Sequence, residues 1–324
     1  MSGTVKPVPL PHRQAEPGAV RTGPKDLKDR MSTSRRLWLD WTVDRALRSL
    51  IWAAKRLPYE RRVALMGRVL RLMGGVTGYR ARADGQLAWI FPDLSKAQRR
   101  RITDAVLDNF GRTAIENYSG ADQLARARAW APHGPGLAAC EAARMAGRPI
   151  LFVSGHFGNY QAIRAAMNLR GYAIGGLFRP FNNRFSSVHY IASIESVGGR
   201  AFARDRRGLA EFVKNLREGG HGAILLDQAV SGGARLAFLG HEAPTSLSAA
   251  EMALKYDALL VPIYGERLAN GIDFDIQIEA PIAHSDPVTM TQAINDSLSA
   301  RVRARPEQWL WVHRRWKAAD TAPG

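Results

Sequence analysis

The stretch Ser154-Gly155-His156-Phe157-Gly158-Asn159-Tyr160-Gln161 brings together residue types from which a reaction could be built. A histidine that accepts a proton turns a hydroxyl into a usable nucleophile at neutral pH. His156 follows an apolar run, Ile150-Leu151-Phe152-Val153, that reads as a buried strand. It precedes Ala162-Ile163-Arg164-Ala165-Ala166-Met167, which reads as a helix. Open α/β sheets place their chemistry at such carboxyl strand ends. The plain alternative is a structural histidine beside a helix start. Arg179, Asp227 and Pro262 also fall where candidate strands end. If the sheet is largely parallel, His156, Arg179 and Asp227 converge on one edge. That would put a general base, an anion binder and a carboxylate in one crevice.

The elements that must position these residues begin at Pro149. Strand candidates cover 149–154, 173–178, 222–227, 235–239, 258–264 and 273–279; helix candidates cover 161–170, 184–197, 207–218, 246–256 and 287–304. Such alternation predicts an α/β fold with a mixed sheet sandwiched by helices over 149–317. The stretch Asp273-Phe274-Asp275-Ile276-Gln277-Ile278-Glu279 alternates cleanly and predicts an edge strand with one wet face.

Upstream, 35–148 reads as a helical region. Residues 37–57 carry Trp38, Trp41 and Trp52 among Asp40, Asp44, Arg45, Arg48 and Lys55. Those charges argue against a membrane-spanning helix. The pattern fits either a helix lying in a membrane interface or an amphipathic helix packed on the domain. Pro58 stops it, and Tyr59–Met73 forms a second amphipathic helix. Ser95 is an N-cap for a helix running to about Tyr118, with Ile102, Val106, Leu107, Phe110 and Ile115 as its apolar stripe. A further helix spans 135–146. Residues 1–34, with Pro7, Pro9, Pro11 and Pro17, read as a disordered basic tail, and 318–324 as a second tail.

The formal net charge of +17 directs the chain toward anions. No zinc finger, RNA-binding aromatic signature or basic arm with a DNA-reading helix is present, so an anionic membrane surface or an acidic partner protein is preferred to nucleic acid. The single cysteine, Cys140, excludes an internal disulfide and a cysteine-based zinc site. Ser231-Gly232-Gly233 does not match a dinucleotide fingerprint, and neither metal nor cofactor is expected. Residues 1–36 lack the apolar segment of a secretory signal, and no window of about 18 uncharged apolar residues occurs.

Gly155-His156-Phe157-Gly158-Asn159-Tyr160-Gln161 resembles the His-x4-Asp/Glu motif of the lysophospholipid acyltransferase superfamily, and most of all its bacterial lipid A branch, the late lauroyl and myristoyl acyltransferases. The resemblance extends, in order, through Ile90-Phe91-Pro92-Asp93-Leu94-Ser95, Asn109-Phe110-Gly111 with Glu116, Phe178-Arg179-Pro180-Phe181-Asn182-Asn183, Asp227-Gln228, the segment 238–245 and the segment 306–317. It implies acyl transfer from an acyl thioester, on acyl carrier protein or CoA, to a hydroxyl of a membrane lipid. The acceptor would be a lipid A precursor first and a lyso-lipid second, at the cytoplasmic face of the inner membrane.

Carried over residue by residue, the resemblance makes His156 the general base and puts Gly158 and Asn159 beside the substrate. It gives Arg179 a phosphate to hold, and Asp227 the ordering of the site or a bond to acceptor hydroxyls. The motif's acid falls at Gln161, which has no charge. Three readings follow: an active enzyme with a neutral orienter, an enzyme that recruits Asp227 or another acid, or a weakened or inactive lipid-binding homologue. Arg314, Arg315 and Lys317, interleaved with Trp309, Trp311 and Trp316, mark either a membrane-facing edge or packing on the core.

Overall fold

The computed structural model describes residues 24–316, with side chains from Leu37 onward. Most of the expected basic tail, the 318–324 tail and Lys317 lie outside those residues. The chain opens with α1 (Pro24–Ala54), which begins inside the stretch expected to be a tail. Proline suits a first helical position, and no proline or glycine interrupts the turns that follow. Next come α2 (Tyr59–Met73), α3 (Tyr79–Ile90), α4 (Lys96–Glu116), α5 (Gly120–Ala127) and α6 (Leu137–Met145). Ser95 caps α4 in a reciprocal box: Gln98 N–H donates to Ser95 Oγ, and Ser95 N–H donates to Gln98 Oε1 at 2.8 Å. The sequence pattern showed neither α3 nor α5. In α3 only Ala83, Leu87 and Ile90 turn inward, too few for a visible stripe.

The core alternates as expected: β1 (Ile150–Ser154), α7 (Tyr160–Asn168), β2 (Gly175–Phe178), α8 (Arg184–Glu195), β3 (Ala201–Ala203), α9 (Arg206–Arg217) and β4 (His221–Leu225). Then follow β5 (Ala234–Phe238), β6 (His241–Thr245), α10 (Ser248–Lys255), β7 (Leu259–Arg267), β8 (Phe274–Ile278) and α11 (Pro287–Ala304). The main sheet has the order β3-β2-β4-β1-β7-β8. Pairings from β3 to β7 are parallel, and β8 runs antiparallel at the edge with alternate residues buried.

Two expectations are corrected. The 235–239 strand lies outside the main sheet and pairs with β6 in a separate hairpin. Pro262 is mid-strand, because β7 runs on to Arg267. It has no N–H to give the ladder, and its carbonyl accepts Glu279 N–H at 3.0 Å.

Strand alternation sends β1 side chains to two cores. Ile150 and Phe152 pack with α6 and α7, while Leu151 and Val153 pack with α9, α10 and α11. The sheet is therefore covered by helices on both faces. Leu87, Val106, Phe157, Phe238, Leu298, Trp309, Trp311 and Trp316 form a third core that ties α3, α4, the hairpin and α11 to the chain's C-terminal segment. Among the described residues, no helix is long and apolar enough to cross a membrane.

Candidate active site

The strand order decides which side chains meet. Because β4 lies directly beside β1, Ser154 pairs with Leu225. His156 and Asp227 each lie two residues beyond that pair, at the carboxyl edge. The His156 ring Nδ1 donates to Asp227 Oδ1 at 2.8 Å, and His156 N–H donates to Oδ2 at 2.8 Å. Trp309 Nε1–H also donates to Oδ2, at 2.8 Å. A carboxylate that accepts three N–H bonds favours the ionised form. Burial alone would raise the Asp227 pKa, but the His156 charge and these bonds outweigh it and hold the carboxyl well below the usual range. The same pairing acts in reverse on the imidazole. Burial pulls its pKa down, the Asp227 charge and hydrogen bond overcome that, and the net direction is upward.

With Nδ1–H committed to the carboxylate, the Nε2 lone pair remains available for a proton. The His156 side chain is 21% exposed and lines a mostly apolar cavity of about 830 Å³. Val106, Phe110, Phe152, Ile163 and Ile263 supply much of that wall; Tyr160, Gln228, Arg179 and Arg204 add polar groups. His313 packs beside His156, with ring centroids 5.2 Å apart. Burial, and next the neighbouring His156 charge, push the His313 pKa down to about 4, so it is neutral near pH 7.

The other expected site residues part company here. Arg179, exposed after β2, lines the cavity. Gly158 also lines it, and its φ of +55° and its closeness to β7 require glycine, since a Cβ there would stand 1.9 Å from Gly265 O. Asn159 is sealed from the cavity. Its Oδ1 caps α7 by accepting Gln161 N–H at 2.8 Å, and its Nδ2 donates to Glu116 Oε2 at 2.8 Å. Its amide is spent inside the protein, not on a substrate.

Gln161, at the motif's acid position, does not bond to the imidazole. Its Oε1 accepts Arg164 Nη1 at 2.8 Å, and its Nε2 donates to Ile194 O at 3.2 Å. Helix α7 points position 161 toward α8. The acid that does reach the imidazole is Asp227. Trp309 and His313 were not singled out as site residues. The only signal for them was the aromatic-basic run at 306–317, which had two readings. Trp309, Trp311, Trp316 and Arg315 are buried and pack on the core, Arg314 is exposed, and Lys317 lies outside the described residues.

The fold and site define a class: an α/β protein with a histidine–carboxylate pair at the carboxyl edge of its sheet, open to an apolar cavity. The chain belongs to the bacterial lipid A biosynthesis acyltransferase family, whose model matches residues 28–318. It is similar to a lipid A biosynthesis acyltransferase of Haemophilus influenzae, 22% identical over 72% of this chain and 74% of that protein. It is also similar to lipid A biosynthesis acyltransferase 2 of Shigella flexneri, 22% identical over 85% of this chain and 88% of that one.

Proposed function

We propose that the protein moves a fatty acyl chain from an acyl thioester to a hydroxyl of a lipid A precursor, with His156 as general base. The observation that carries this reading is the 2.8 Å Nδ1–Asp227 bond, which leaves Nε2 free on a histidine that lines the apolar cavity. In the step, Nε2 takes the acceptor's hydroxyl proton as its oxygen bonds to the thioester carbonyl carbon. Asp227 holds the tautomer and stabilises the imidazolium. When the carbon–sulfur bond breaks, the imidazolium returns the proton to the leaving thiolate. No acyl-enzyme is required; the lone thiol, Cys140, is buried, and its pKa is pushed up to about 12 by burial.

The basic chain favours an acidic acyl carrier protein over CoA as donor. Arg179, with no ion-pair partner among the described residues, is assigned to a substrate phosphate. Trp38, Trp41 and Trp52, all exposed on α1, are assigned to a peripheral seat on the anionic cytoplasmic face of the inner membrane. The test incubates purified protein with acyl–acyl carrier protein or acyl-CoA and a panel of lipid A precursor and lyso-lipids, followed by lipid chromatography. Transfer that is abolished by His156→Ala supports the reading. Lipid binding without transfer to any acceptor would leave the non-catalytic homologue instead.

A further inference from the structure

A buried ion pair stands behind the histidine loop and takes no part in the proton transfer. Glu116, the last residue of α4, and Arg267, the last of β7, have side chains 0% and 4% exposed. Neither lines the cavity. The Arg267 guanidinium donates to both Glu116 oxygens, to Oε2 at 2.7 Å. That same oxygen accepts Asn159 Nδ2. The guanidinium also donates to Thr113 Oγ1 at 3.1 Å, and that hydroxyl donates to Gly158 O at 3.3 Å. The Arg267 backbone reaches the loop from another direction. Its N–H and carbonyl bond the Gln308 amide at 2.7 and 2.9 Å, and Gln308 O accepts Gly158 N–H at 2.9 Å.

Every one of these paths ends on Gly158 or Asn159, the second and third residues after His156. The other side of the loop is tied by Leu310 N–H, which donates to His156 O at 3.0 Å. A pair this deep contributes little net stability over an apolar filling of the same volume, because desolvation offsets its attraction. What it does supply is direction, since a planar, two-armed guanidinium fixes where the carboxylate, and hence Asn159, must lie.

We infer that Glu116 and Arg267 are positioning residues that hold the loop so that the His156 ring stays in line with Asp227. The inference rests on His156 being the base. The groups that face the imidazole are Asp227 from the loop after β4, Tyr160 from α7 and His313 from the C-terminal segment. None of them is altered by the variants below.

Two variants test it. Asn159→Ser keeps an α7 cap but is too short to reach Glu116. Glu116→Leu with Arg267→Met fills the buried volume and removes the tether. Each is read by thermal unfolding, by kcat and KM, and by NMR titration of the His156 ring. The expected result is a folded protein with kcat lowered roughly tenfold and KM within about twofold, since a small misplacement at the reacting centre is costly. The His156 pKa should fall as the ring loses its alignment with Asp227, and the acid limb of the pH–rate profile should move down with it. A folded variant with unchanged kcat and unchanged imidazole titration overturns the inference and leaves the pair structural. If the double variant does not fold, Asn159→Ser decides alone. If His156→Ala keeps its turnover, the base assignment fails, while the ring titration still reads whether the tether holds.

Discussion

Two stretches of this chain interleave tryptophan with arginine, and the fold uses them in opposite ways. On α1, Trp38, Trp41 and Trp52 are 67%, 42% and 61% exposed. In the C-terminal segment, Trp309, Trp311 and Trp316 are all at 2% or below, and Arg315 is buried with them. Helix α1 docks through its other face. Ile51 and Ala54 enter a small core with α2 and α4, and Asp40 O accepts Asn183 Nδ2 at 2.7 Å. Most polar atoms of the buried group have partners, while Trp316 Nε1 and Arg315 Nε are buried without one among the described residues. Trp309 reaches Asp227, Trp311 Nε1 donates to Pro306 O at 2.7 Å, and Arg315 donates to Pro244 O and Thr245 Oγ1. An indole is buried at lower cost where its N–H finds an acceptor; Trp316, buried without one, is held by ring packing against Phe238 and Trp309. One tryptophan group packs beneath the site, and the other stands exposed on α1.

The largest effects should come from the His156–Asp227 pair that Trp309 supports. His156→Ala should lower acyl transfer by about 10³-fold, the size of a lost general base. Asp227→Asn should cost nearly as much, about 10²- to 10³-fold, since the carboxylate acts through the imidazole that it orients. Neither should change partition onto liposomes. Asp227→Asn should also move the acid limb of kcat/KM to lower pH, since the carboxylate is what raises the imidazole pKa.

The pair leaves a mark on stability as well. The raised His156 pKa stabilises the fold fully below 6.5, and that contribution is lost as pH rises through the folded value. The lowered Asp227 pKa stabilises above 3.8, and that contribution is lost as pH falls. Unfolding against pH should therefore show the pair's contribution greatest between those values and absent from Asp227→Asn. With His156 as the proposed base, the reactive form is the neutral imidazole, so activity should peak at higher pH than this contribution does.

Next in size is the exposed group. Replacing Trp38, Trp41 and Trp52 together by Ser should release the protein from anionic liposomes in a flotation assay. Stability should change by no more than about 0.5 kcal/mol per site, as at other exposed positions. Unchanged flotation would mean that α1 serves the domain alone. Smaller again is Trp309→Phe, which keeps a ring in the core and removes one N–H from Asp227. It should cost about 2 kcal/mol of stability, typical of a bond to a charged group, and lower kcat without releasing the protein from liposomes. The smallest effect belongs to Gln161→Glu. A carboxylate at 161 would face Arg164, so turnover should stay within about threefold. A large rise would show that the imidazole answers to position 161 after all.

Much of this was legible in the sequence because it is local. The run at 150–161 announced a strand, a turn and a helix with His156 between them. Ser95 marked a helix start, and the alternation at 273–279 marked an edge strand; all three stand in the structure. Each signal lies within a few residues, where backbone geometry relates one side chain to the next.

The tertiary structure decided what pairs across distance. Asp227 is 71 positions from His156, and they meet only because β4 inserts beside β1 in a register that the sequence does not display. Glu116 and Arg267 are 151 positions apart, and their meeting sets Asn159 against the protein interior. The two tryptophan runs look alike as strings. Whether an indole is buried depends on which surfaces arrive to cover it, and strand order and helix packing determine that.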